Sequence, residues 1–307
     1  MWRVVARDFK VSDLEIYNHP VTQRPAPNFS SVLRAELLSV KGIVHGFSTR
    51  IPPDGKGSDF NLGLTDGADG KITERNRTAF IRAVTGDERG WTRVPLRQIH
   101  SDIIHVVQQA PAEALPGDGA VTNVPGLLLS ILTADCLPVL VADTRKRAVG
   151  AFHAGWRGTL ARIVEKGIGI MRREFSSDPA DIRAAIGPCI HACCYEVDEE
   201  FRDKFASQFD YADELFTEVF SSDPVREKYP LLFMNMRAPG HGAPPCRPHL
   251  DLVEANRRQL LAAGLPESAI DISPLCTACR TDLLYSHRAE KGKAGRMMAA
   301  IGIKPPE

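Results

Sequence analysis

The sequence predicts a single-domain α+β fold, on three observations. Short apolar runs of strand length crowd the region from Lys41 to Val149, and one helical pattern interrupts them. Beyond Ala148, strand-like and helical patterns alternate without a composition shift that would mark a second domain. There is no internal repeat or low-complexity segment, and 307 residues suffice to bury a substantial core.

Taken along the chain, residues 1–35 carry Pro and polar residues without a clear period. They read as an N-terminal extension packed onto a domain spanning 36–307. Strands are expected at 42–48, 96–107, 119–122, 126–133 and 137–142, each an apolar run bounded by turn residues. The helix at 73–85 places Phe80, Ile81 and Val84 on its apolar side. Pro138 cannot donate to a central ladder, so the chain must break or turn beside Cys136. After a strand at 148–153, Gly155 and Gly158 make a turn, and Leu160, Ile163, Val164, Ile168 and Met171 repeat at helical spacing. A strand at 182–186 leads through Gly187-Pro188-Cys189 into a helix near 199–209. Residues 221–248 hold six prolines and read as a long inserted loop. Residues 249–263 are expected to be helical, with Leu250, Val253, Leu260 and Leu261 apolar, and the tail closes on an apolar run at 297–303.

Composition narrows the function classes. Lys plus Arg and Asp plus Glu balance at 38 each, so no global field points to nucleic acid or a membrane surface. The N-terminal residues lack the apolar core of a signal peptide, and no run approaches the roughly 18 apolar residues of a membrane span. A cytoplasmic protein acting on a small molecule is the expectation. Seven cysteines are an odd number for a disulfide framework, which favours thiols and metal ligation.

Three residues carry the chemistry: His100 in Arg97-Gln98-Ile99-His100, Cys136 in Ala134-Asp135-Cys136-Leu137-Pro138, and His153 in Phe152-His153-Ala154-Gly155. One thiolate and two imidazoles make a zinc site that leaves a fourth position open. They lie 36 and 17 residues apart, so no short ligand-pair motif joins them; each instead sits where a strand-like run gives way to a turn. A buried, merely apolar Cys136 is the bland alternative.

Arg50, Arg157 and Arg288 recur in turn settings and suit a phosphate or carboxylate, or else a surface ion pair. Asp135 abuts the candidate ligand and reads either as a ligand orienter or general base, or as a turn cap. Glu196 and Tyr195 follow a Gly-Pro-Cys turn and suit proton transfer and ring stacking, with packing the alternative for the tyrosine. Cys276-Thr277-Ala278-Cys279 is a half-site for zinc or a redox pair; Cys189, Cys193 and Cys194 are its natural partners but are spaced wrongly for the usual four-cysteine site. The zinc deaminase signature is absent, and no His-x-His suggests a multicopper oxidase.

At these residues the chain resembles the YfiH/laccase-domain family, whose members are labelled polyphenol oxidase, peptidoglycan editing factor or purine nucleoside phosphorylase. The matching segments include His45-Gly46-Phe47-Ser48-Thr49-Arg50, Asn61-Leu62-Gly63, Gln98-Ile99-His100, His249-Leu250-Asp251-Leu252 and the run from Cys276 to Arg296. The resemblance implies mixed β-sheets packed between helices in α/β/β/α-type layers, with zinc at His100, Cys136 and His153 and copper as the alternative metal. It further implies phosphorolysis of adenosine, inosine, guanosine and methylthioadenosine, and deamination of adenosine, with purine nucleosides and phosphate as partners. Arg50, Arg157 and Arg288 then become phosphate candidates. Ser101 and Ala289 replace the Gly and Arg usual in the family at those places. Rival readings are a cysteine hydrolase using Cys136 and His153 on a cell-wall precursor, a metal-dependent phenol oxidase, and a metal-carrying binding module.

Overall fold

The computed structural model describes residues 2–3, 31–55, 59–65, 67–87, 89–220 and 246–305. Most of the expected N-terminal extension, and the Pro-rich insertion as far as residue 245, lie outside the described residues.

In chain order the strands are β1 (Trp2–Arg3), β2 (Val32–Ala35), β3 (Ile43–Ser48), β4 (Thr92–Val94), β5 (Leu96–Arg97), β6 (Ile104–Val106), β7 (Leu115–Pro116) and β8 (Gly119–Thr122). They continue as β9 (Leu127–Thr133), β10 (Leu137–Asp143), β11 (Ala148–Ala154), β12 (Ile182–Ile186), β13 (Phe216–Phe220), β14 (Cys246–Leu250), β15 (Ile270–Ile272) and β16 (Met297–Ile303). One six-stranded sheet runs β1-β2-β3-β16-β9-β4 and a second runs β15-β12-β10-β11-β8-β6. Both are mixed: β4 with β9, β6 with β8 and β12 with β15 are parallel, the other pairings in them antiparallel. The helices are α1 (Gly70–Thr85), α2 (Trp156–Leu160), α3 (Ile163–Phe175), α4 (Glu200–Ala206) and α5 (Leu252–Ala262).

Side-chain alternation sorts these elements into α/β/β/α layers. On β16, Ala299 and Ile301 face Leu140, Val149 and Ala151 of the other sheet, and these residues form the core between the sheets. Met298 and Ala300, one residue out of phase, pack with Phe80 and Val84 of α1. In the second sheet Val139, Val141 and Phe152 turn the other way, onto Ile163, Ile168 and Met171 of α3 and Ala255 and Leu260 of α5. Both sheets are therefore buried on both faces, which is why their strands read as continuous apolar runs.

Helix ends follow local chemistry. Asp69 caps α1 by accepting from the Lys71 and Ile72 N–H groups, and Gly86 ends it at φ +85°. Asp251 caps α5 through the Glu254 N–H. The expected strand at 96–107 is two short strands separated by a loop carrying His100. The helical pattern from Leu160 is broken at Arg162, φ +60°; the Thr159 carbonyl that a continuous helix would offer to Ile163 accepts from Gln259 Nε2 at 2.8 Å. Residues 246–248, expected in the loop, belong to β14, which holds His249 and Leu250 in strand against β13 and delays the helix until Leu252. Among the described residues no helix is long and apolar enough to cross a membrane.

Candidate metal centre and cavity

The chain passes from the first sheet to the second through three residues, Ala134, Asp135 and Cys136, between the end of β9 and the start of β10. Asp135 holds a left-handed backbone there, φ +90°, a conformation that needs support from its surroundings. Its buried carboxylate supplies it: Oδ1 accepts from Thr277 Oγ1 at 2.6 Å and Ser286 Oγ at 2.8 Å, and Oδ2 from the Arg288 N–H at 2.7 Å. Cys136 is thereby fixed at the sheet junction. His153, next to last in β11 and paired in register with Pro138, stands beside it.

His100, also left-handed at φ +57°, comes from the loop between β5 and β6. That loop is organised by Asp118, which is fully buried. Asp118 accepts the backbone N–H groups of Ile99, His100 and Ser101 at 3.1, 3.1 and 2.7 Å, and the Ser101 hydroxyl at 2.7 Å. The same carboxylate meets His153 Nδ1 at 2.8 Å, and the Asp118 carbonyl accepts from the His153 backbone N–H. Burial alone would raise the Asp118 carboxyl, but these hydrogen bonds and His153 hold it well below the usual carboxylate range. With Nδ1 engaged, His153 presents Nε2 to the junction.

Donor atoms of His100, Cys136 and His153 lie within 4.8 Å of one another, so one ion can gather them with small side-chain shifts. One thiol and two imidazoles, with a carboxylate behind one imidazole, is a donor set that fits zinc. Gly155 leaves room for it: a Cβ there would meet Cys136 Sγ at 3.0 Å and His100 Cδ2 at 3.2 Å. Burial would push the Cys136 thiol up; the adjacent His153 and His100 outweigh it and bring it down to about 6, and His153 rises against burial to about 9 through Cys136 and Asp118.

The three side chains open into a cavity of about 1110 Å³. Asp135, Tyr195 and Arg288 also line it, together with His287, Lys293 and Arg296, which the sequence reading did not single out. Arg288 donates from Nη1 to the Glu196 carbonyl at 2.8 Å, and its guanidinium lies 5.4 Å from the Tyr195 ring. The Glu196 carboxylate pairs with Arg247 at 2.6 Å and does not line the cavity. Arg50 stacks on Tyr285, donates to the Thr281 carbonyl at 2.6 Å and pairs with Glu290; Arg157 is exposed and lies over Trp156 at 4.2 Å. Neither Arg50 nor Arg157 is among the lining residues. Asp118 also went unread, although Gly117-Asp118-Gly119 ahead of a strand is the kind of place from which a carboxylate can orient a ligand histidine.

Comparison with known proteins adds the lineage. The family described as "Multi-copper polyphenol oxidoreductase laccase" matches residues 44–304. The purine nucleoside phosphorylase YlmD of Geobacillus stearothermophilus is 35% identical over 281 residues, covering 88% of this chain and 93% of that protein. A protein named adenosine deaminase RL5, from an unknown prokaryotic organism, is 29% identical over 86% of this chain and 95% of its own length. The crystal structure of Bacillus licheniformis hypothetical protein YfiH superposes with a TM-score of 0.73 at 33% identity, covering 89% of this chain and 97% of that one. Since the matched region contains all three junction side chains and nearly every strand of both sheets, the chain belongs to the YfiH/laccase-domain family.

Proposed function

We propose that the chain is a zinc-dependent purine nucleoside enzyme. It cleaves adenosine, inosine, guanosine and methylthioadenosine with phosphate, yielding the free base and the (methylthio)ribose 1-phosphate, and it also deaminates adenosine. The observation that carries this reading is the convergence of His100, Cys136 and His153 in a cavity also lined by Arg288, Lys293 and Arg296. The names of the Geobacillus relative and of the adenosine deaminase supply the substrate class.

Zinc bound at the three side chains would supply a Lewis acid with one open coordination position. The remaining steps belong to the protein. Asp118 locks the His153 tautomer and holds the His100 loop. Arg288, kept in place by Asp135 at its N–H and by the Glu196 carbonyl at its guanidinium, binds phosphate with Lys293 and Arg296. Tyr195 offers a ring face to the purine. In phosphorolysis a phosphate oxygen attacks C1′ as the bond to N9 breaks, and the base leaves with a proton. In deamination water adds at C6 of adenine and ammonia departs. His287, in the cavity wall, can donate and accept a proton. Asp135 and the Glu196 carbonyl act as positioning groups in this scheme, through Arg288.

One observation favours a cysteine hydrolase instead: the Cys136 thiol stands beside His153, whose Nδ1 is held by the Asp118 carboxylate, the order of a nucleophile, a base and an orienting group. The deciding experiment incubates zinc-loaded protein and its His100→Ala variant with adenosine, with and without phosphate, and identifies products by mass spectrometry. Adenine plus ribose 1-phosphate only when phosphate is present, and inosine without it, both lost in the variant, is the expected result. No product from either protein, with alkylation of Cys136 abolishing hydrolysis of cell-wall precursors in metal-free protein, would replace this reading with the hydrolase.

A further inference from the structure

Two segments leave the second sheet side by side. β12 and β15 are parallel neighbours in register from Ala184 with Ile270 to Ile186 with Ile272, so the chain beyond each emerges at the same edge. The pairing continues past the strands: the backbones of Cys189 and Cys276 form an isolated parallel β-bridge, both thiols staying free, and the Thr277 N–H donates to the Cys189 carbonyl at 2.9 Å. The first segment then turns, with the Cys194 N–H on the His191 carbonyl, and the second turns with the Arg280 N–H on the Cys276 carbonyl. These two turns bring the adjacent Cys193 and Cys194 to the Cys-x-x-Cys half-site of Cys276 and Cys279, 82 residues on from Cys194 to Cys276.

We propose that Cys193, Cys194, Cys276 and Cys279 form a second metal centre, a closed four-thiolate zinc site separate from the one at the sheet junction. All four sulfurs lie within 4.8 Å of one another. The separations are 3.7 Å for Cys193 to Cys194, 3.6 Å for Cys193 to Cys279 and 3.4 Å for Cys194 to Cys279. A tetrahedral ion with zinc–sulfur bonds near 2.3 Å requires sulfurs about 3.8 Å apart, whereas a disulfide requires about 2.05 Å. The cluster thus has the span of one ion's coordination shell and is far too open for a bond. The His191 N–H donates to Cys276 Sγ at 3.4 Å, an outer contact suited to a metal-bound thiolate. All-sulfur tetrahedral donors select zinc or iron over oxygen-loving cations.

Binding converts four thiols to thiolates, so one zinc ion enters and four protons leave. With four protein ligands no position stays open, and the role is structural. The ion fastens the two segments where their strand pairing has ended, beyond the single bridge at Cys189 and Cys276. Both reach the cavity: the first supplies Ile190 and Tyr195, and the second supplies Thr277, which holds Asp135, and leads on to Arg288.

The test is metal stoichiometry on the full chain, reduced, reconstituted with zinc and desalted, for the wild type, Cys136→Ala, Cys193→Ser and Cys279→Ser. Two equivalents in the wild type and one in each variant are expected. Cobalt-loaded Cys136→Ala protein should also show the intense thiolate-to-cobalt absorption and tetrahedral visible bands of an all-sulfur site. One equivalent in the wild type that disappears in Cys136→Ala overturns the proposal. So does a non-reduced mass lighter by two hydrogens that returns to the full mass in Cys279→Ser, since it marks a disulfide. Should the serine variants fail to fold, the Cys136→Ala stoichiometry and cobalt spectrum decide alone.

Discussion

Asp118 takes five hydrogen bonds on its carboxylate, four from the His100 loop and one from His153, and so couples two of the three candidate junction ligands. An amide in its place must turn its NH₂ toward N–H groups on one side or the other. Asp118→Asn is therefore expected to lower zinc affinity by about 10–100-fold, the usual consequence of losing a carboxylate behind a ligand histidine. It should also cost about 1–3 kcal/mol through the donors left buried and unpaired. Competition with a chromophoric chelator measures the first effect and urea unfolding the second; unchanged affinity would show that Asp118 only shapes the loop. The three candidate ligands were legible because each interrupts an apolar run at a turn. Asp118 was not, because its meaning lies in a contact across 35 residues of sequence, to His153, and nothing near it in the chain distinguishes it from a turn aspartate.

At the scale of elements, the apolar runs that became β8, β12 and β16 were readable to the residue, since burial on both faces leaves a continuous signal. Misreadings occurred where a distant group competes for backbone: Asp118 pulls residues 99–101 out of an expected strand, and Gln259 takes the carbonyl that would have joined α2 to α3. β3 shows a further dependence that pattern does not reveal. His45 is buried within it, and its Nε2 accepts from the Ala35 N–H at 3.0 Å, which requires a neutral ring. Burial first, and then the nearby Arg34, bring His45 down to about 4. The unfolded chain therefore takes up this proton before the folded one. Its contribution to stability is complete above about pH 6.5 and is lost as the pH falls toward 4, by up to about 3 kcal/mol. His45→Gln keeps an acceptor without the titration. Urea midpoints measured at pH 7 and 4.5 should show the wild type losing about 2–3 kcal/mol more than the variant over that interval; parallel losses would mean the ring is not held neutral.

For the whole molecule the decisive feature is how closely the two sheets approach beside the cavity. Neither hydropathy nor spacing in the chain encodes that distance, so the layer order came from resemblance while the strands themselves came from pattern. Gly187, just past β12, is a point of close approach: its N–H donates to the Pro138 carbonyl at 2.8 Å, and Phe47 from the other sheet lies over it. A Cβ there would stand 2.2 Å from the Phe47 ring and 2.8 Å from Pro138 Cγ, so the two sheets meet face to face only because no side chain intervenes. Phe47 is 2% exposed and has nowhere to retreat, and Pro138 is fixed in the ladder two residues from Cys136. Gly187→Ala must therefore force the sheets apart or expel the ring, an overpacking cost of about 1–3 kcal/mol. Because the strain falls between β3 and the start of β10, zinc affinity at the junction should weaken in the same variant. Combining it with Phe47→Leu, which removes the ring atoms met by the new Cβ, should recover part of both losses, a favourable coupling that a double-mutant cycle reads directly. If the two substitutions instead add, the seam is plastic and the metal centre does not depend on how tightly the sheets close.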